Sequence, residues 1–340
     1  MSEAKQKRIA YIAQAQLIGC LLVILGHSIP LNWETTPDAI YLADKFLYTF
    51  HMPLFFFVSG YLFYKTNSVE RYSFRAYIKK RCFRLMLPYV VLTLVGFIPK
   101  ILTAKFFDDG AQLSMIYFIK AFLVPRENVW GHFWFLPTLL IISLFAFAFT
   151  KLKDKSFAAF AVLTILLFGL PFAANLTDWF AVNDVLKYTC FYAFGLLFAD
   201  SGFERVLTAK KTRWLFLLLC PVGIGMFCIH LFAGVFQKEL FLIVGIPMLL
   251  FVLALTQFFD FTETKAGSFL CRKTYSIFIL SWPFQSIISM VFEKTMGLPF
   301  YYTMPLAFAA GTIGPIITIL VVDLIEKKAN KRFLSPIIGG

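Results

Sequence analysis

The chain has 340 residues, of which 59% are hydrophobic, 19% aromatic and only 15% charged, with a mean hydropathy of +0.76 and a formal net charge of +13. A soluble domain averages about 45–50% apolar and about 25% charged residues, so this composition excludes one, and it is equally unlike a disordered chain. A charge of +13 on its own would admit nucleic acid as a partner, but its distribution removes that reading.

At roughly 20 apolar residues per crossing helix the chain has room for about ten spans, which makes it an all-α polytopic membrane protein. Ten apolar segments cover residues 11–30, 46–64, 82–102, 132–150, 156–174, 185–199, 214–233, 240–259, 275–292 and 300–324. The first runs through Ile29 to Pro30 without a small-residue cleavage site and is expected to remain as a span. The sixth is short and interrupted by Gly195. Residues 113–124 are apolar but too short to cross, and read as an interfacial or re-entrant helix. With no internal repeat and no long polar loop, residues 1–340 are expected to form one integral membrane domain.

Basic residues then set the orientation. If the N-terminus is cytoplasmic, 24 of the 32 Lys and Arg fall on the inner side. They include Lys5, Lys7 and Arg8, the run from Lys65 to Arg84, and the tail's Lys327, Lys328, Lys331 and Arg332. The outer side keeps only Lys45, Lys100, Lys105, Lys120, Arg126, Lys187, Lys238 and Lys294. Both termini are therefore expected in the cytoplasm, and the positive charge is a topology signal. The six cysteines fall within spans or at inner ends and form no CxxC pair, so they read as small buried hydrophobes rather than disulfides or zinc ligands.

Ionisable groups at membrane depth are costly and point to function. His27 lies sixteen residues beyond Tyr11, about 24 Å into a core of roughly 30 Å. His51, His132 and His230 also fall on the outer half. Such a cluster could carry proton transfer, histidine being the commonest general base near neutral pH. No HxxxH spacing suggests a metal. On the inner side Arg81 and Arg84 share one helix face, where two guanidiniums can clamp a phosphate; the bland alternative is a positive-inside anchor. Ser59-Gly60 allows close helix approach, and Gln14, Gln16 and Gln285 read as interhelical hydrogen-bond partners. Trp33, Tyr41, Trp134 and Trp179 fit an interfacial aromatic belt, and the abundant Phe reads as packing surface.

Several stretches together resemble the acyltransferase family 3 membrane proteins, which O-acylate bacterial surface glycans. They are Leu21-Leu22-Val23-Ile24-Leu25-Gly26-His27-Ser28, the run from Phe50-His51-Met52-Pro53 to Phe63, Lys80-Arg81-Cys82-Phe83-Arg84-Leu85 with Pro88-Tyr89, and His132-Phe133-Trp134-Phe135-Leu136. The resemblance implies a multi-pass enzyme of the bacterial cytoplasmic membrane. It would carry an acyl group, usually acetyl, from cytoplasmic acyl-CoA to a hydroxyl of an extracytoplasmic glycan or glycolipid. It implies an essential role for His27 and a functional pair at Arg81 and Arg84. The candidate site is then His27 and His51 for catalysis, with Arg81, Arg84, Ser59, His132 and Trp134 for substrate binding. No metal or bound cofactor is expected; acyl-CoA is the donor substrate, and a glycan-synthesis or export protein is a possible partner.

This chain departs from the family pattern at two places. Gln16 stands where the family usually has Arg or Lys eleven residues before the first-span histidine, and Ala13 where an acid is common. Ser281-Trp282 replaces a histidine found in many members near the ninth span. These departures, with Pro53, Gly195, Pro221, Pro247, Gly311, Gly314 and Pro315 interrupting helices, keep open an alternative role as a glycan exporter or export component. Against that role stand the lack of an inverted repeat and of an acid inside a span.

Overall fold

The computed structural model describes residues 3–29, 37–103, 114–235 and 240–340. Pro30, Trp33, Lys105, Lys238 and residue 113 fall outside them, as do the side chains of Lys5, Lys7, Arg8 and Lys294. The described residues form helices joined by turns and short loops, with no strand. Among them seven helices are long and apolar enough to cross a membrane: Ala10–Ser28, Asp38–Lys65, Phe74–Ile101, Phe135–Lys155, Arg213–Ala233, Lys265–Glu293 and Phe300–Ala329. The remaining three predicted segments fall on two shorter apolar helices, Phe157–Ala173 and Leu240–Leu255, and on the largely buried helix Val182–Asp200. The protein is thus a multi-pass helical membrane protein.

Eight helices carry the argument: α1 (Glu3–Ser28), α2 (Asp38–Tyr48), α3 (His51–Lys65), α4 (Phe74–Thr103), α5 (Phe135–Lys155), α6 (Val182–Asp200), α7 (Lys265–Ile288) and α8 (Phe300–Ala329). Residues 113–124 supply the short helix Met115–Leu123, capped by the Ser114 hydroxyl, which accepts from the Tyr117 N–H at 3.2 Å. The second predicted span begins earlier than its apolar run, because α2 precedes α3 with only a short break at Thr49-Phe50. This brings Asp44, 8% exposed, into a helix read from sequence as loop, and corrects the expectation that no acid lies inside a span. Pro37 starts α2 in an extended conformation, as suits a residue that fixes φ and donates no hydrogen bond.

The innermost contact is α3 against α6. A Cβ placed on Gly60 would sit 2.0 Å from the Tyr192 carbonyl oxygen, and one on Gly195 would sit 1.9 Å from that of Phe57. The two backbones therefore touch, which only glycine permits, since lipid offers helices no hydrophobic drive to associate and close packing must hold them. Gly195 does not interrupt α6; it is where α6 meets α3. Phe56, Phe57, Phe191 and Phe198 close around this contact, each no more than 1% exposed.

Polar bonds tie the helices at both ends. At the end rich in Lys and Arg, Glu204 accepts from Tyr61 Oη at 2.5 Å and Tyr11 Oη at 3.2 Å, and pairs with Lys65 at 2.6 Å. Lys153 and Tyr64 meet Asp200 at 2.9 and 2.6 Å. At the opposite end Arg126 forks onto the Asp184 carboxylate at 2.5–3.1 Å. Gln14 and Gln285 serve as interhelical partners: Gln14 accepts from the Phe261 N–H, and Gln285 donates to the Ile24 carbonyl and to Ser28 Oγ.

Candidate active site

At the basic end a cavity of about 400 Å³ opens between α1, α3, α4, α5 and α7. Arg81 and Arg84, three residues apart on α4, both line it, joined by Arg71, Lys80 and Arg272. Five cationic side chains around one opening make a strong anion site, and no carboxylate is among the lining residues. Arg81 Nε donates to Ser143 Oγ at 3.2 Å, which aims the guanidinium without neutralising it. The Arg84 guanidinium lies over the Tyr275 ring, 5.3 Å from its centre, while the Tyr275 hydroxyl donates to the Arg84 carbonyl at 3.2 Å. Tyr275 is braced from behind by Gly339, where a Cβ would come within 2.6 Å of the ring. Lys80 Nζ donates to Tyr72 Oη at 2.8 Å, and this bond from an ammonium holds the Tyr72 hydroxyl below the usual phenol range. Ser59 and Gln16 lie on the same wall, so the residue that departs from the family pattern faces the cavity.

Further in, the lining turns apolar and ends on the rings of Phe55, Phe135 and Phe278. The three pack together with centres 5.6–5.8 Å apart. Beyond Phe278 stands His132, whose ring meets the phenyl edge-on at 5.0 Å.

His132 belongs to a cluster at the end opposite the basic cavity. Its ring stacks on Trp282 at 5.6 Å, Trp282 contacts His27 at 4.7 Å, and His27 and His132 are 6.1 Å apart, centre to centre. Tyr48 completes the group: its hydroxyl is 3.2 Å from His27 Nδ1, and its ring abuts His51 at 4.7 Å. His51 Nδ1–H donates to the Leu47 carbonyl at 2.6 Å, which fixes that tautomer. Neither ring nitrogen of His132 makes a hydrogen bond of normal geometry among the described residues, and Oδ1 of Asp44 is likewise buried and unpaired. Buried polar groups without partners are uncommon and mark places where something else is received.

Local sequence explains why these groups meet. A Cβ on Gly26 would press to 3.3 Å from the Tyr48 ring and 3.4 Å from Asp44 Oδ1, so Gly26 lets α2 lie against α1 beside His27. Gln285 anchors α7 to α1 just before and just after His27, and Gly311 of α8 makes room for it, since a Cβ there would be 2.5 Å from Gln285 Cγ.

The structure therefore gathers His27, His51 and His132 into one cluster and Arg81, Arg84 and Ser59 into one cavity. Trp134 joins neither, and it packs inside the protein rather than on its surface. At 8% exposure it is stacked on Tyr188 at 5.3 Å with the Arg126 guanidinium 4.4 Å from its ring. His230 stands apart, bonded to the Val235 carbonyl at the end of its own helix. Reading the sequence missed Tyr48, Asp44 and Trp282. Trp282 was visible as a departure from the family pattern, and that departure falls on the histidine cluster. Tyr48 and Asp44 carried one signal, the four-residue spacing that puts them a helical turn apart, with His51 three residues beyond Tyr48.

The fold defines a helical membrane protein with a cation-lined cavity toward one end and a histidine cluster toward the other. The chain belongs to the acyltransferase 3 family: the family model described as "Acyltransferase domain" matches residues 9–324. It is similar to Nodulation protein NolL of Sinorhizobium fredii (strain NBRC 101917 / NGR234), with 31% identity over 205 residues, 59% of this chain and 51% of that protein. Nodulation protein NolL of Mesorhizobium japonicum (strain LMG 29417 / CECT 9101 / MAFF 303099) shares 27% identity over 206 residues, again 59% of this chain and 51% of that protein. The chain spans about half the length of these curated relatives. No solved structure matches it significantly.

Proposed function

We propose that the protein is a membrane O-acyltransferase, most simply an O-acetyltransferase. It takes the acyl group from acyl-CoA at the basic end and delivers it to a hydroxyl of a glycan or glycolipid at the histidine end. The observation that carries this reading is the single layer of aromatic rings between the cation-lined cavity and the histidine cluster. The lysine and arginine bias supports the part of this reading in which the basic end faces the cytoplasm, where CoA is found, of a bacterial cytoplasmic membrane and the histidines face outward.

In this reading Arg81 and Arg84 hold the donor's phosphates, bidentate contacts being what the planar guanidinium makes best. Lys80, Arg71 and Arg272 add field at the mouth. The uncharged thioester end of the donor takes the apolar depth. His27 acts through Nε2 as general base: it accepts the proton of the acceptor hydroxyl as that oxygen attacks the thioester carbonyl. The new C–O bond forms, the C–S bond breaks, and the departing thiolate recovers the proton from the imidazolium. For Nε2 to carry the free lone pair, Nδ1–H must donate to Tyr48 Oη, and Tyr48 is thus a positioning residue. The Tyr48 hydrogen is then free for an acceptor, and Asp44 stands one turn away on α2.

The reading is tested by turnover of labelled acetyl-CoA in liposomes by the parent, His27→Ala and the Arg81→Ala/Arg84→Ala double variant, with thermal melts to confirm folding. Transfer lost in the histidine variant and donor binding lost in the arginine variant is the expected pattern. A folded parent that turns over no acyl-CoA, or a His27→Ala protein as active as the parent, overturns it and moves attention to glycan export.

A further inference from the structure

The inner end of the cavity is closed in an unusual manner. Its walls are polar and cationic at the mouth, yet its floor consists of the faces and edges of Phe55, Phe135 and Phe278. Each is buried, at 7%, 5% and 2% exposure. Phe278 touches both sides with its ring: it lines the cavity, and among the described residues it is the lining ring that meets His132, at 5.0 Å. A donor whose charged part is held at the mouth must present its acyl end to this floor, and the acyl carbon must pass Phe278 to reach His27.

The helix around Phe278 has the means to let that ring move. Pro283 lacks an N–H, so the Ile279 carbonyl four residues earlier has no helical donor. Next to it Ser281 Oγ donates to the Phe278 carbonyl at 2.9 Å, a side-chain bond to the backbone of the kind found where helices bend. On the far side the His132 ring faces the Phe278 and Ile279 backbone without a hydrogen bond of normal geometry.

We propose that Phe278 is the specificity-determining residue of the transfer: a door of one ring between donor cavity and histidine cluster, whose size limits the acyl groups that pass to the shortest. This rests on the acyl-CoA reading above and extends it to the class of acyl group. A two-carbon acyl group is flat and small enough to lie on the rings. Each further methylene has to displace them, and discrimination of one methylene in an apolar pocket is worth about 10- to 200-fold.

The experiment compares acetyl-, butyryl- and hexanoyl-CoA as donors for the parent, Phe278→Ala, Phe278→Leu and Phe278→Trp in liposomes. Phe278→Leu guards against loss of fold, and melts are recorded for every variant. The expected result is that the hexanoyl-to-acetyl ratio of kcat/KM rises by about 10-fold or more in Phe278→Ala and by less in Phe278→Leu. In Phe278→Trp, acetyl transfer falls in kcat while KM for acetyl-CoA changes less than about 2-fold, because the mouth is untouched. A donor-length profile identical in the parent, Phe278→Ala and Phe278→Leu overturns the proposal while leaving the acyltransferase reading intact. A folded parent inactive with all three donors overturns both.

Discussion

The two ends of the site are built on opposite principles. The basic cavity is open, its cations are held by a few neutral partners, and its work is to attract. The histidine cluster is packed edge to face among aromatic rings, and its polar atoms are left short of hydrogen bonds. A charge in water-filled space binds widely and cheaply; a base enclosed by rings is oriented and shielded, and costs more to build. If the proposed function holds, the difference separates affinity from chemistry, and substitutions should divide accordingly.

The largest effect is expected at His27. His27→Ala should lower kcat by about 10²- to 10⁴-fold, the range that a positioned general base contributes, while KM for acyl-CoA stays near the parent value. Single-turnover kinetics in liposomes would show it, and a matching rise in KM would break the division. Next comes Arg81→Ala/Arg84→Ala. Loss of two charge-assisted contacts should raise KM for acyl-CoA by roughly 10- to 100-fold with a much smaller fall in kcat, and the binding should weaken further in salt. Tyr48→Phe keeps the ring and removes the oxygen, so kcat should fall by about 5- to 10-fold, the value of one neutral hydrogen bond. A Tyr48→Phe protein with unchanged kcat would take Tyr48 out of its positioning role. The smallest effect on turnover per folded molecule is expected from Gly60→Ala, which touches neither end. There the added carbon meets a backbone carbonyl, so the expected loss is in stability, about 1–3 kcal/mol, read as a lowered thermal midpoint.

Much of the fold was legible because a membrane helix must satisfy its backbone within itself, which makes apolar length a strong signal. Each of the ten apolar segments coincides with a helix. What the sequence left hidden is which faces meet. In water the apolar stripe of a helix marks its buried side, but here lipid-facing and core-facing positions are both apolar, and Phe fills either. Trp134 illustrates this: its composition suits an interface, and its place in the stack with Tyr188 and Arg126 is set by α3 and α6 pressing together. Asp44 was misplaced for a related reason, since α2 is too polar to extend the apolar run that follows it. His27, Arg81 and Arg84 stand out in the sequence as candidates because they are expensive or clustered, and cost is visible in one dimension. Tyr48 is neither, so only the close approach at Gly26 reveals it.

The contact of Gly60 and Gly195 also has a mechanical meaning. Two helices joined backbone to backbone cannot slide or tilt without collision, so α3 and α6 behave as the stator of the molecule. Ser59 and Phe55 on α3 are fixed to that frame. The neighbouring wall is α7, with a proline inside the helix and a π-helical turn, Ser289–Thr295, directly after it. The wall of the site that lies outside this frame is thus the one whose helix carries irregularities of its own.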